Sequence, residues 1–414
     1  MSEHPQQISL LNFSGSDRLG LMAALTAALA ASDAQILDVG QAIVHDQLVL
    51  SLLTKFASAS DREEAQASLA RLARERDVAF NHQLVNPQAY DAWVQQQGQP
   101  RYILTLLADG IAASQLNALS HVVSQHGLNI HDITRLSNRV SLRDVGSRQR
   151  VSIEMTLRGS IGDEQALKSA LLAAAGDHDF DCSVQLDSVY RRNRRLVAFD
   201  MDSTLIRAEV IDELARRHGV YDAVATVTAR AMAGEIDFVE SFRSRVALLK
   251  GMPKPVLDEV AQAVELTEGA QVLIDALRHF GYTTAILSGG FRYVGDVLKR
   301  QLSIDHVYAN ELEFENGVAT GGVVGNIVDA KAKADLLSEL CEREGISTQQ
   351  AIAIGDGAND LPMLATAGLG IAFHAKPVVQ ETANHAISHF GLDSLLYLLG
   401  FSQRELDNIA GRAP

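Results

Sequence analysis

The chain has 414 residues, 47% of them apolar and 21% charged, the composition of a folded globular protein with enough sequence for roughly two to four domains rather than of a disordered or fibrous chain. A net charge of −15 argues against a generic polyanion-binding surface, and two cysteines, Cys182 and Cys341, are too few for a disulfide framework or a thiolate metal cluster. No segment approaches the roughly 20 apolar residues of a membrane span, and the polar start Met1–Pro5 has no basic-then-apolar signal, so the expected location is cytoplasmic, with neither membrane nor nucleic acid as partner.

In chain order, residues 7–13 read as a strand and Asp17-Arg18-Leu19-Gly20-Leu21 opens a helix to about Ala31. Strands at 36–45 and 48–56, a helix at 63–74 and a strand at 78–84 complete a βαββαβ order. The order returns over 101–189: strand 102–107, helix 114–126, strands 129–137 and 151–157, helix 163–175, strand 181–189. Two ferredoxin-like α+β modules are expected, 1–86 and 101–190, joined by a Gln-rich polar linker over 87–100. The basic run Arg191-Arg192-Asn193-Arg194-Arg195 has no interleaved aromatics and reads as a solvated linker rather than a nucleic-acid patch.

From 191 to 414 the pattern changes. Strands at 196–200, 283–288, 306–309 and 351–355 alternate with helical segments, which predicts an α/β domain with a doubly wound parallel sheet. The stretch 207–265 is too long for a simple crossover and is expected to form a helical cap over the strand ends. Asn316-Gly317 between two β-like runs predicts a hairpin flap over 309–324.

Four segments carry the candidate chemistry. Asp200 and Asp202 follow the apolar run Leu196–Phe199, and ligands of open α/β sheets bind beyond such strand ends. With a hard cation bound, Asp200 is placed to attack phosphorus while Asp202 protonates the leaving oxygen. A calcium loop is a poor alternative, because Leu205 and Ile211 stand where it needs Gly and Glu. Ser288-Gly289-Gly290 offers a hydroxyl and backbone N–H groups to phosphate, although alone it also reads as a turn. Lys333 can set a point charge against phosphate, with Lys331 as its rival. In Gly355-Asp356-Gly357-Ala358-Asn359-Asp360, Asp356 can face a metal while Asn359 and Asp360 line or brace the site.

Together these segments resemble the haloacid dehalogenase (HAD) superfamily of aspartate-nucleophile phosphotransferases. Asp200-Met-Asp-Ser-Thr-Leu-Ile-Arg-Ala-Glu209, Phe238-Val-Glu-Ser-Phe-Arg-Ser-Arg245, Ser288-Gly-Gly-Phe and Gly355-Asp-Gly-Ala-Asn-Asp360 are similar to its phosphoserine phosphatase branch. The resemblance covers about 196–395. It implies a Rossmannoid core, Asp200 as nucleophile forming a phosphoaspartate, and Asp202 as general acid and then base. It further implies Mg2+ held by the Asp200 carboxylate, the Asp202 backbone carbonyl and Asp356, with Asp360 in support. Ser288, Gly289 and Lys333 would bind phosphate, and Asn359 would position phosphate or water. Glu209 and Arg245 would read the ammonium and carboxylate of phosphoserine, with Arg243 the rival to Arg245.

Asp17-Arg18-Leu19-Gly20-Leu21 with Ser32-Asp33-Ala34-Gln35-Ile36 resembles an ACT domain, which implies an amino-acid effector near 14–21. The second module has Asp109-Gly110-Ile111 where that pattern is expected. Edge or face pairing of such sheets makes a homodimer the other expectation. The resulting reading is hydrolysis of O-phospho-L-serine to L-serine, the last step of serine biosynthesis. Its alternatives are a HAD enzyme acting on another small phosphate ester or passing the phosphoryl group to an alcohol such as homoserine, and a non-catalytic amino-acid sensor.

Overall fold

The computed structural model describes residues 7–141, 143, 150–383, 385–409 and 411; the Met1–Pro5 segment read above lies outside them. The chain divides into two compact units, 1–99 and 100–414.

The first unit holds β1 (Gln7–Ser16), α1 (Leu21–Ala30), β2 (Gln35–Val44), β3 (Gln47–Phe56), α2 (Ala59–Glu75), β4 (Val78–Val85) and α3 (Pro87–Gln96). The antiparallel sheet runs β2-β3-β1-β4. Both helices cover one face: Leu21, Leu25 and Leu29, and Ala65, Leu69 and Ala73, recur every four residues and are buried against Leu11, Phe13, Leu50 and Leu52. α2 starts a turn earlier than its sequence pattern suggested because Ser58 caps it, accepting from the Asp61 N–H. The segment expected as linker contains α3, started by Asn86 as cap and Pro87 in the first turn.

The second unit begins with another module of the same order: β5 (Arg101–Asp109), α4 (Ala113–Gln125), β6 (Asn129–Arg135), β7 (Arg150–Arg158), α5 (Glu164–His178) and β8 (Phe180–Leu186), in a sheet β6-β7-β5-β8. Its helix-free face is buried and mixed, carrying Leu107 with Thr105, Ser152, Ser183 and Gln185, and it docks on the rest of the unit. Asp181 accepts from the Ser388 and His389 N–H groups at 2.9 and 3.0 Å, Gln185 donates to the Leu398 carbonyl, and Arg150 pairs with Asp393 at 2.5 Å. The basic run differs from the solvated linker read in the sequence. Arg191 and Arg194 are buried, Arg191 against Glu154 at 2.5 Å, because this docking closes over them.

The remainder of the unit is built on β9 (Leu196–Phe199), four cap helices, α6 (Val210–His218), α7 (Tyr221–Met232), α8 (Phe238–Leu248) and α9 (Pro255–Ala263), then α10 (Ala270–His279), β10 (Thr283–Phe291), α11 (Arg292–Leu302), β11 (His306–Glu315), β12 (Val318–Val324), α12 (Ala330–Arg343), β13 (Ala351–Gly355), α13 (Leu361–Thr366), β14 (Leu369–Phe373), α14 (Pro377–Thr382), β15 (His385–Ile387), α15 (Leu395–Leu398) and α16 (Gln403–Ile409). The seven-stranded sheet runs β12-β11-β10-β9-β13-β14-β15, parallel except for the antiparallel β11–β12 hairpin. Its turn, Asn316-Gly317, takes positive φ at both positions, as a two-residue hairpin demands. β14, between β13 and β15, and the edge strand β15 are short and had no counterpart in the sequence reading.

Register fixes the site. Every residue of β9 is fully buried, and Phe199 pairs with Ile286 on one side and Ile354 on the other. The chain therefore leaves three adjacent strands at one level, and chain order diverges there: the crevice of an open α/β sheet. The cap is joined by a stalk, where Ile206 bridges Leu266 and the Arg207 N–H donates to the Glu265 carbonyl. The β11–β12 hairpin binds it again, through Gly251 N–H to Ala319 O, Ala319 N–H to Met252 O and Lys254 N–H to Gly317 O.

Candidate active site

Beyond β9 the backbone turns sharply, with Ser203 at φ 56°, so that Asp200, Asp202 and Thr204 face the crevice. The Asp200 carboxylate accepts from the Met201 N–H at 2.7 Å. Asp202 accepts from the Val210 N–H at 3.3 Å, at the start of α6. Ser203 Oγ donates to Glu209 at 2.9 Å. Asp329 caps α12 by accepting from the Ala332 N–H, which points Lys333 in that helix's first turn beneath the crevice. Lys333 is fully buried, its Nζ 2.9 Å from Asp200 Oδ1 and 2.7 Å from Asp360 Oδ1. The other Asp360 oxygen accepts from the Gly357 N–H.

A pocket of about 140 Å³ lies above, lined by acids Asp200, Asp202, Glu209 and Asp356, by Arg245 and Asn359, and by the Ser288–Gly290 turn. Ser288 Oγ accepts from the Gly290 N–H at 2.9 Å. Arg245, half-buried on α8, has an Nε without a hydrogen-bond partner. Gly290 is dictated by space: a Cβ there would strike Asp202 and Met201.

Charge is unevenly distributed. Burial, then repulsion from Glu209 and Asp200, raises the Asp202 pKa well above the carboxylate range. Burial, with Asp200 and Asp360 beside it, pushes Asp356 up to about 7, and burial with Asp200 nearby lifts Asp360 to about 6 despite Lys333. Glu209, though part of it faces solvent, is also raised, by burial of its carboxyl. For Lys333 burial opposes the charge, but Asp200 and Asp360 outweigh it and its pKa rises. Acids exceed bases, so the site favours a cation. Carboxylate oxygens of Asp200, Asp356 and Asp360 lie within 4.8 Å of one another, an all-oxygen donor set that suits a hard divalent ion such as Mg2+.

The haloacid dehalogenase-like hydrolase family profile matches residues 197–365, and the ACT domain profile residues 7–83. The chain is 36% identical over 409 residues to the phosphoserine phosphatase SerB2 of Mycobacterium tuberculosis, spanning 97% of this chain and 96% of that protein. It belongs to the phosphoserine phosphatase family of haloacid dehalogenase-like hydrolases. Another phosphoserine phosphatase, from Streptomyces coelicolor, is 37% identical over 398 residues, 96% of this chain and 93% of that protein. A HAD family hydrolase from Salmonella enterica serovar Typhi superimposes with TM-score 0.63 at 31% identity, covering 72% of this chain and 98% of that one.

In this member of the phosphoserine phosphatase family the rivals named from sequence sit elsewhere. Lys331 is exposed and pairs with Asp335, and Arg243 is exposed while Arg245 lines the pocket. Sequence reasoning missed Thr204, whose Oγ1 donates to Asp356 at 3.2 Å. It also missed Asn310, whose Nδ2 donates to the Gly289 carbonyl and whose Oδ1 accepts from the Val328 N–H, each at 2.8 Å. Thr204 stood inside the opening motif, two residues after Asp202, and was legible as a hydroxyl. Asn310 had no local signal. Nor were the apolar walls, Ile211, Phe238, Phe242 and Phe291, assigned beforehand. No helix among the described residues is long and apolar enough to cross a membrane.

Proposed function

We propose that the enzyme hydrolyses O-phospho-L-serine to L-serine and phosphate with Mg2+, through an aspartyl phosphate on Asp200. The observation that carries this reading is the division of labour between Asp200 and Asp202. Asp200, the proposed nucleophile, sits 2.9 Å from a buried ammonium, while the neighbouring Asp202 retains its proton through burial and repulsion.

In the first step an Asp200 oxygen forms the bond to phosphorus as the bond to the serine oxygen breaks, and Asp202 delivers its proton to that leaving oxygen. In the second, Asp202, now a carboxylate, takes a proton from water as the water attacks phosphorus and frees Asp200. Ser288, the Gly289 N–H and Lys333 bind the phosphate oxygens, and Asn359 orients phosphate or water. Glu209 and Arg245 take the ammonium and carboxylate of the amino acid. Mg2+, with Asp200, Asp356 and the Asp202 backbone carbonyl as ligands and Asp360 in support, would offset the repulsion between the carboxylate nucleophile and the phosphate dianion.

An amino-acid effector at residues 14–21 of the ACT domain, and pairing of that domain between two copies of the chain, belong to the same reading. They are supported by the family profile and by the exposed Val39, Val49 and Leu84 of that sheet.

The test is phosphate release from L-phosphoserine, phosphothreonine and a sugar phosphate, with and without Mg2+, in the native chain and in Asp200→Asn, with homoserine added as a competing acceptor. Preference for L-phosphoserine that disappears in the variant and without metal supports the proposal. Activity surviving Asp200→Asn overturns the nucleophile, and transfer to homoserine overturns hydrolysis.

A further inference from the structure

The buried Arg194 has no place in the chemistry above. It is 5% exposed, its Nη1 donates to Gln185 Oε1 at 3.0 Å, and its Nε has no hydrogen-bond partner. Among the described residues no carboxylate pairs with it, whereas Arg191, equally buried three residues earlier, has Glu154. A guanidinium taken out of water without a counter-charge is costly. Burial, with Arg191 adding repulsion, pulls the Arg194 pKa down to about 10.

Arg194 faces a pocket of about 190 Å³ between the second module and the parallel sheet, lined also by Tyr102, Lys168, Tyr190, Gln349 and His385. His385 is held neutral there, its pKa lowered to about 3 by burial and then by the positive charges of Arg194 and Lys168. Glu164, exposed at the start of α5, is the one carboxylate on the wall. The pocket is distinct from the catalytic one. Arg194 precedes β9 and Gln349 precedes β13, so it lies at the opposite ends of the strands that deliver Asp200 and Asp356.

We propose that this seam is a binding site for a small oxyanion, a phosphate or a carboxylate, with Arg194 and Lys168 as its cationic recognition groups. The guanidinium offers its unused N–H to one oxygen, Lys168 supplies the second charge, and the volume admits a small anion. Occupation would compensate the buried charge and tie the module to the lead-in of β9, where the Arg195 N–H already donates to the Gln350 carbonyl at 2.9 Å.

Calorimetric titration of the full chain with inorganic phosphate, and separately with L-serine, tests this and separates the two oxyanion sources. Lys168→Gln and Arg194→Gln are each expected to weaken one class of site by about tenfold or more, for whichever probe the seam accepts. The Lys168 variant alters a helix-surface residue and is the one to rely on should Arg194→Gln fail to fold. Isotherms of Lys168→Gln that superimpose on those of the native chain for both probes would overturn the proposal.

Discussion

The ammonium nitrogen of Lys333 lies 2.9 Å from Oδ1 of Asp200, in a place where neither side chain meets bulk water. Removing one partner of such a pair strands the other. Lys333→Met is expected to destabilise the fold by about 3–5 kcal/mol and to lower kcat by about 10²–10³-fold, the loss of one donor to developing charge. Lys333→Arg should rescue neither, because a planar fork does not fit a site made for a compact ammonium. Urea midpoints and initial rates check both; a Lys333→Met enzyme with native kcat would sink the role.

As the proposed general acid, Asp202 has to carry a proton when substrate arrives. Its raised pKa, from burial and from Glu209 and Asp200, keeps the acid form to higher pH than an ordinary carboxyl. Titration above that pKa removes the acid, so the first step should slow as pH rises and recover as it falls. Asp202→Asn is expected to lose about 10²–10⁴-fold in kcat and its alkaline limb, while magnesium binding persists because the carbonyl, not the side chain, is the proposed ligand. An unchanged pH profile in the variant would refute the assignment.

Two neighbouring glycines should answer differently to one methyl group. At Gly289 a Cβ meets Phe238 Cζ at 2.9 Å, the tip of a ring on the cap, and nothing else closer than 3.5 Å. At Gly290 it meets Asp202 in the pocket wall, Cε of the fully buried Met201 at 2.8 Å and Ser288 Oγ at 3.1 Å, three groups rather than one. Gly290→Ala is expected to cost about 1–3 kcal/mol and most of the activity, and Gly289→Ala far less of each. Equal losses in a denaturation and rate comparison would contradict this ordering.

Much of this centre was legible from residues 196–360 because its pieces are local. An apolar run ending in acids, or in Ser-Gly-Gly, states both a buried strand and what stands at its end. Asp200 and Asp356 needed no knowledge of the distant chain. Arg191 and Arg194 show the limit: whether a charged run is solvated depends on what docks over it, and Glu154, the partner of Arg191, stands 37 residues away. Asn310 was hidden for the same reason, its two bonds reaching 18 and 21 residues along the sequence. β14 and β15 were too short to show a period, and α3 was masked by a Gln-rich composition although Asn86-Pro87 is a helix-start signal.

Arg245 lines the pocket and its buried Nε has no hydrogen-bond partner, and burial lowers its pKa against the attraction of Glu209. Arg245→Lys and Glu209→Gln are each expected to raise KM for L-phosphoserine by about 10–100-fold, the worth of a hydrogen bond to a charged group. A phosphate ester with neither ammonium nor carboxylate should be affected little. Parallel losses on both substrates would mean that these residues shape the pocket rather than read the amino acid.

His385 sets an acid limit on stability. Its imidazole, bonded to Ser183 at 2.8 Å, has a pKa lowered to about 3 by burial and by Arg194 and Lys168. Between about pH 6.5 and pH 3 the unfolded chain binds a proton that the native fold refuses, so this group makes stability fall as pH falls through that window, by up to about 1.4 kcal/mol per unit. His385→Gln should flatten the slope between pH 6.5 and 5 in urea titrations relative to the native chain; parallel slopes would show that His385 does not titrate on unfolding.

The cap is held at two places, the stalk at Ile206–Leu266 and the hairpin at Gly251–Lys254. A body pinned at two points has one easy rotation, about the line through them. Glu209 stands just past the stalk, and Arg245 lies near the end of α8 that leads into the hairpin contact at Gly251. If Glu209 and Arg245 take the ammonium and the carboxylate as proposed, each stands beside one of the two pins, and the grip on the amino acid would hold nearly still while the rest of the cap swings.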